Sequence, residues 1–144
     1  MTSGEYHDQG FNCCESILQG LGDYLGVKSD LIPSIATGFG GGIGHTGGIC
    51  GAITGAVMAL GIKYGRKDPR DKEKRDWFYK MVENFLQDAE KELGSLSCRD
   101  LIGLTLNTDE TMKIYREKNL RRKCHEIISQ VEKLAQAYLS LSYS

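Results

Sequence analysis

Strand signals are nearly missing from this chain. No β-branched run alternates with polar residues, so nothing reads as a half-buried strand. Prolines are limited to Pro33 and Pro69, and aromatics to four Phe, seven Tyr and one Trp. There is no C-x-x-C, the close pairing that marks many zinc and dithiol motifs. There is no Gly-Lys-Ser/Thr either, which excludes a nucleotide P-loop. Net charge is small: 18 Lys and Arg against 19 Asp and Glu leave −1, with no global pull toward nucleic acid or anionic lipid. The opening residues, MTSGEYHDQGFNCC, lack the basic and apolar regions of a signal peptide. The expectation is a cytoplasmic, reducing setting. There, five cysteines imply metal binding, catalysis or burial rather than structural disulfides.

What is present is helical periodicity. Phe11, Cys14, Leu18, Leu21 and Leu25 recur at threes and fours, predicting a helix that Gly26 ends. A short helix over 30–37 follows, with Asp30 as N-cap and Pro33 in its first turn. A third helix is expected over 46–64. After a charged connector, Phe78, Val82, Phe85, Leu86, Ala89 and Leu93 make one stripe, with Gly94 as C-cap. Ser97 reads as the N-cap of a short helix, and Asn107 with Glu110 as a capping box for another. Leu120, Cys124, Ile127, Val131, Leu134, Tyr138 and Leu141 form an a/d seam that would pack in a bundle or make a homodimer. The fold expected is all-α: one domain over 1–144, a bundle of five or six helices with a Gly-rich loop leading into a central buried helix.

The glycine-rich stretch GFGGGIGHTGGICGAITGA, residues 38–56, raises three readings. Gly42, Gly44 and Gly47 match G-x-G-x-x-G, but the dinucleotide fingerprint needs a preceding strand. Residues 31–62 carry no Asp, Glu, Lys or Arg, yet ten of them are glycine, which argues against a membrane span. The third reading is close helix packing: Gly47, Gly51, Gly55 and Ala59 form a strip without bulky side chains, and Cys50 falls near a helix start. Amides and dipole there favour a thiolate. Gly42, Gly44, His45, Gly47 and Gly51 would then form a nest of donors toward a bound group.

Cys13 and Cys14, Cys50 and Cys98 each stand at a predicted helix beginning, and Cys124 sits beside Arg121, Arg122, Lys123 and His125. From spacing alone, all five are equally compatible with small buried hydrophobes. Among His7, His45 and His125, His45 is the best placed for chemistry because of its loop. The Lys and Arg clusters carry interleaved acids and read as solvated faces, giving no support for nucleic-acid binding.

Four blocks in order carry a resemblance: Phe11-Asn12-Cys13, the glycine run leading to Cys50-Gly51-Ala52-Ile53-Thr54-Gly55, Cys98-Arg99-Asp100-Leu101-Ile102-Gly103, and Cys124. They resemble the family of redox-active proteins named for its Cys, Cys-Gly-Ala-x-x-Gly, Cys, Cys pattern. The resemblance implies a redox role, with Cys13, Cys50, Cys98 and Cys124 at the family positions. It implies a bound prosthetic group such as an iron–sulfur cluster or another metal, and an unidentified redox partner protein. Cys14 falls where the family more usually shows a small residue, which leaves either member of the Cys13–Cys14 pair as the one facing the site. Metal-free thiol–disulfide chemistry by the same four cysteines is the alternative, and a non-catalytic partner-binding domain the third.

Overall fold

The computed structural model describes residues 1–142. Among them are seven α-helices, one 3-10 helix and a single isolated antiparallel bridge, Ile49 with Ser97. The helices start and stop where local chemistry satisfies their end groups. In α2 (Cys13–Leu25), Asn12 and Glu15 form a reciprocal capping box, and Gly26 closes the helix at φ 70°. In α4 (Lys72–Leu93), Asp71 caps the start and Gly94 the end. Ser97 caps α5 (Cys98–Ile102) and Gly103 ends it at φ 84°. The remaining helices are α1 (Ser3–Asp8), α3 (Gly51–Tyr64), α6 (Asp109–Glu117) and α7 (Arg121–Leu139).

Four boundaries differ from expectation. The first helix, α1, was not anticipated, although Thr2 and Glu5 make a capping box that is visible in the sequence. The central helix begins at Gly51 rather than near residue 46, because residues 41–48 form a closed loop. Asp30 is not a cap: residues 30–33 form turns that lead into the 3-10 helix Ser34–Phe39, with Pro33 at its N-cap. The capping box of α6 is Thr108 with Thr111, one residue later than Asn107 with Glu110. With α1 and the short helices counted, the described residues hold eight helices against the five or six expected.

Helix α3 is apolar on almost every face and runs through the centre, with Ala52, Ala56, Ala59 and Leu60 fully buried. Its Gly51 and Gly55 lie directly on α2. A Cβ at 51 would stand 3.0 Å from the Cys14 backbone nitrogen, and one at 55 would stand 3.0 Å from the Cys14 carbonyl oxygen. Gly47, expected on the same strip, lies outside the helix. The apolar stripe of α7 packs against α1, α2, α3 and α4. Its buried face comprises Cys124, Ile127, Ile128, Val131, Ala135 and Leu139, so it is turned from the a/d seam, whose Leu134 and Tyr138 are half-buried. Among the described residues no helix is long and apolar enough to cross a membrane.

Helices α1, α2 and α7 meet at Ser3. Its amide donates to Glu132 Oε2 at 2.7 Å and its hydroxyl to the same oxygen. A Cβ at Gly20 would stand 2.1 Å from Ser3 Oγ and 2.6 Å from its backbone nitrogen, whereas one at Gly22 would meet nothing nearer than 3.7 Å. Gly20→Ala therefore forces α1 away and is expected to cost about 1–3 kcal/mol, despite the better helix propensity of alanine. Gly22→Ala is expected to be neutral or to stabilise by up to about 1 kcal/mol. Urea unfolding of the two variants separates them, and equal effects would contradict the close approach at Gly20.

Candidate functional site

Two of the cysteines are brought together by backbone hydrogen bonds alone. The Cys50 amide donates to Leu96 O at 2.8 Å, and the Cys98 amide donates to Gly48 O at 2.7 Å. With the Ile49–Ser97 bridge between them, these bonds fasten the start of α3 to the start of α5. Ser97 Oγ also donates to Gly47 O at 3.1 Å. Residues 48 and 98 are far apart in sequence, so no local pattern announces this pairing.

The glycine loop that precedes Cys50 is a left-handed turn. Residues 41–45 all have positive φ, from 56° to 73°, including the non-glycine Ile43 and His45. A β-branched residue there is an outlier, and the surrounding bonds hold it in place. The amides of residues 43–48 each donate to a loop carbonyl between residues 38 and 43, at 2.8–3.3 Å. These donors are thus used in closing the loop, not held open as a nest toward a ligand. Gly42 shows the tightness: a Cβ there would meet the Gly48 nitrogen at 2.5 Å.

Cys13 is delivered by the Asn12 cap, whose side-chain amide also donates to Thr37 O at 3.1 Å. Cys124 is delivered by the first turn of α7. Arg121 fixes that turn by donating to Phe11 O at 3.0 Å and to His7 O, at the α1–α2 junction beside Cys13. The Tyr115 hydroxyl donates to Cys124 Sγ at 3.3 Å.

Cys13, Cys50, Cys98 and Cys124 line one cavity of about 130 Å³. Leu101, Ile102, Leu106, Met112 and Ile127 supply its apolar walls, and Tyr115, Arg121 and His7 its polar ones. Cys14 points elsewhere: it is buried and receives the Thr54 hydroxyl at 3.7 Å. Of the glycine-loop residues expected at the site, Gly51 and His45 line the cavity and Gly44 lines the groove that adjoins it. Gly42 and Gly47 line neither and act in loop closure. All five cysteines are free thiols.

The four thiols are electrostatically unequal. Cys124 is pushed down to about 7, first by the Cys13 thiol beside it, then by the Tyr115 hydroxyl and the Arg121 charge, against the opposing effect of burial. Cys50 is also lowered, by the Cys13 thiol and by the amides of Ala52 and Ile53 at the start of α3. Cys13 is held well above the ordinary range, because its proton serves Cys124 and Cys50 and because it is enclosed. Burial lifts Cys98 to about 12 and Cys14 to about 11. A position at a helix start, expected to favour the Cys50 thiolate, does not decide the order of the thiols alone. The dipole contributes roughly 0.3–1 kcal/mol, less than the 1.36 kcal/mol of one pKa unit.

Three further residues at this cavity were not read from the sequence as part of it. Tyr115 carries no motif signal. Arg121 looked like part of a solvated basic face, and only Arg122 and Lys123 are exposed in that way. His7 is buried at 2% exposure, and burial lowers it to about 4, with Arg121 and His125 adding to the effect. His45 is exposed at the cavity mouth, and His125 faces Asp8 at 3.3 Å.

Four thiols with no carboxylate among the lining residues match the donor chemistry of an iron–sulfur or other soft-metal centre. Their placement does not: among the described residues no three His, Cys, Asp or Glu side chains stand as a group able to hold a metal ion. Of the four thiols, Cys13 is the one whose electrostatics couple to both Cys50 and Cys124.

No curated protein and no solved structure matches the chain. One family model does, over residues 11–138, under the description "Putative redox-active protein (C_GCAxxG_C_C)". The matched span holds all five cysteines, the glycine loop and the helices that carry them. The chain belongs to the C_GCAxxG_C_C family.

Proposed function

We propose that this chain is a thiol-based redox protein in which Cys13 and Cys124 interchange between two thiols and one disulfide. Two electrons and two protons pass to or from a redox partner in each cycle. What supports this reading is that Cys13, Cys50 and Cys124 line one cavity, where the Tyr115 hydroxyl donates to Cys124 at 3.3 Å and the Cys13 thiol lowers both of the other two. A thiolate is the attacking form and a neighbouring thiol is the group it must reach. Cys50 is the second neighbour of Cys13, available for exchange within the cavity. Cys98 completes the wall as a neutral thiol.

The cluster reading uses the same four sulfurs differently. Its support is the all-thiol donor set, and it requires those sulfurs to gather at one centre. Anaerobic purification with iron, zinc and sulfide analysis decides between the two. The thiol reading expects colourless protein that loses two of its five free thiols on mild oxidation, with Cys13 and Cys124 in one disulfide-linked peptide. Cys13→Ser should abolish that linkage. Stoichiometric iron and sulfide, with oxidation that spares the thiols, would overturn it.

The electrostatic inequality has its own test. An acid held below its ordinary value is already ionised at lower pH, so alkylation of Cys124 should rise with pH through about 7 and level off above it. Tyr115→Phe removes one donor to the thiolate and should move that rise upward by about one pH unit. Cys13→Ala should move it in the same direction. An alkylation profile of wild-type Cys124 that rises only in the ordinary thiol range would contradict the assignment.

A further inference from the structure

We infer that the oxidant this site takes is a small hydroperoxide, reduced by Cys124 inside the cavity, with Cys13 resolving the product; this rests on the thiol-pair reading above. The geometry of access carries the inference. Cys50, Cys98 and Cys124 are each 4–5% exposed and Cys13 is half-buried, so the disulfide of a protein partner, flanked by its own backbone, has no in-line path to the nucleophile Cys124, while Cys13 stays open to the thiol that re-reduces the pair. A small molecule has one. The cavity shares His45, Leu106 and Met112 with an open groove that runs past Asn107, Thr108 and Asp109, between the glycine loop and the start of α6. A polar entrance leading to an apolar chamber of about 130 Å³ suits a short alkyl chain with one polar head.

The residues on the chamber wall match the chemistry of O–O cleavage. The Cys124 sulfur is the nucleophile, with the Tyr115 hydroxyl donating to it at 3.3 Å and the Arg121 guanidinium lining the same cavity. Attack of Cys124 on the outer oxygen of ROOH forms an S–O bond and breaks the O–O bond. The departing alkoxide takes up the proton that Cys124 released, so the first step converts Cys124–SH and ROOH to Cys124–SOH and ROH. The Cys13 thiol then attacks the sulfenic sulfur, forming the Cys13–Cys124 disulfide and releasing water. In sum, two thiols and one ROOH give one disulfide, one ROH and one H2O: the thiols lose two electrons and the peroxide gains them. Cys13, as the neighbour of the sulfenic acid, supplies the reversible exit by closing the disulfide before a second peroxide oxidises the sulfur further.

The test uses the intact, fully reduced protein and tert-butyl hydroperoxide under anaerobic conditions. Two thiols should disappear per equivalent of peroxide, with one equivalent of tert-butanol formed and Cys13 linked to Cys124 by peptide mapping. The rate should exceed that of free cysteine at the same pH by at least about 100-fold, and Cys124→Ser should remove that advantage. Cys13→Ser should stop at a single sulfenic acid, trapped by dimedone on Cys124. Should a serine variant fail to fold, early dimedone quenching of the wild type locates the oxygen-bearing sulfur directly. Dimedone on Cys50 or Cys98, or a rate no faster than free cysteine, would overturn the proposal. In the second case the thiol-pair reading stands if the dithiol oxidant diamide still links Cys13 to Cys124. Absence of the disulfide with both oxidants would sink both readings.

Discussion

The backbone of α3 lies almost against the backbone of α2, and the site depends on that approach. A methyl group at Gly51 would stand 3.0 Å from the Cys14 nitrogen and 3.1 Å from the Phe39 carbonyl. With side chains absent there, the residue before Gly51 and the residue before Cys14 become neighbours, and those residues are Cys50 and Cys13. The same closeness explains why the glycine loop must turn left-handed. Within the eleven residues 40–50 the chain has to leave Phe39, reverse and enter α3 at the face of α2, and it does so through five successive positive-φ residues, with the amides of residues 43–48 satisfied inside the loop. The cost in backbone entropy and strain is local, and it is offset by hydrogen bonds that would otherwise be left open in a half-buried segment.

Much of this was legible in the sequence, and the parts that were not share a physical reason. Helix periodicity, the Ser97 cap and the glycine stops at 26 and 94 are local signals, and the helices they predict are present. The four cysteines of the family pattern were also legible, and they do line one cavity. Contacts that cross the chain were not. The Gly48–Cys98 and Leu96–Cys50 hydrogen bonds have no sequence signature, because any residue supplies the groups that make them. Tyr115 and Arg121 were invisible for the same reason: a tyrosine on a short amphipathic helix and the first arginine of a basic triplet gain their meaning only from the neighbours that folding supplies. Glycines misled in one respect. Gly42 and Gly47 suggested donors toward a bound group, whereas the loop consumes its own donors in closing.

Burial and hydrogen bonding, not helix dipoles, sort the thiols. Cys98 stands at the first position of a helix and is still lifted to about 12, because α5 is only five residues long and the apolar walls enclose it. Cys124 sits four positions into a longer helix and is lowered, because a thiol, a hydroxyl and a guanidinium converge on it. A charge in an apolar chamber exists only where specific partners replace the water it has lost. One of those partners is the Cys13 thiol, which lowers both Cys124 and Cys50. Loss of that thiol would remove the same support from both sulfurs, so the two are coupled through one atom.

The adjacent Cys13 and Cys14 show how narrow the division between chemistry and packing is. Successive residues on a helix are separated by about 100° of rotation, so two neighbours rarely face the same surroundings. Cys13 lines the cavity with Cys50 and Cys124, while Cys14, fully buried with Thr54 as its polar neighbour, is lifted to about 11 and behaves as a small hydrophobe against α3. Replacing the second by a small apolar residue would leave the cavity wall intact, whereas the same change one position earlier would remove the thiol that lowers both Cys50 and Cys124. Identical side chains one step apart thus take opposite roles, and it is the glycine face of α3 that decides which is which.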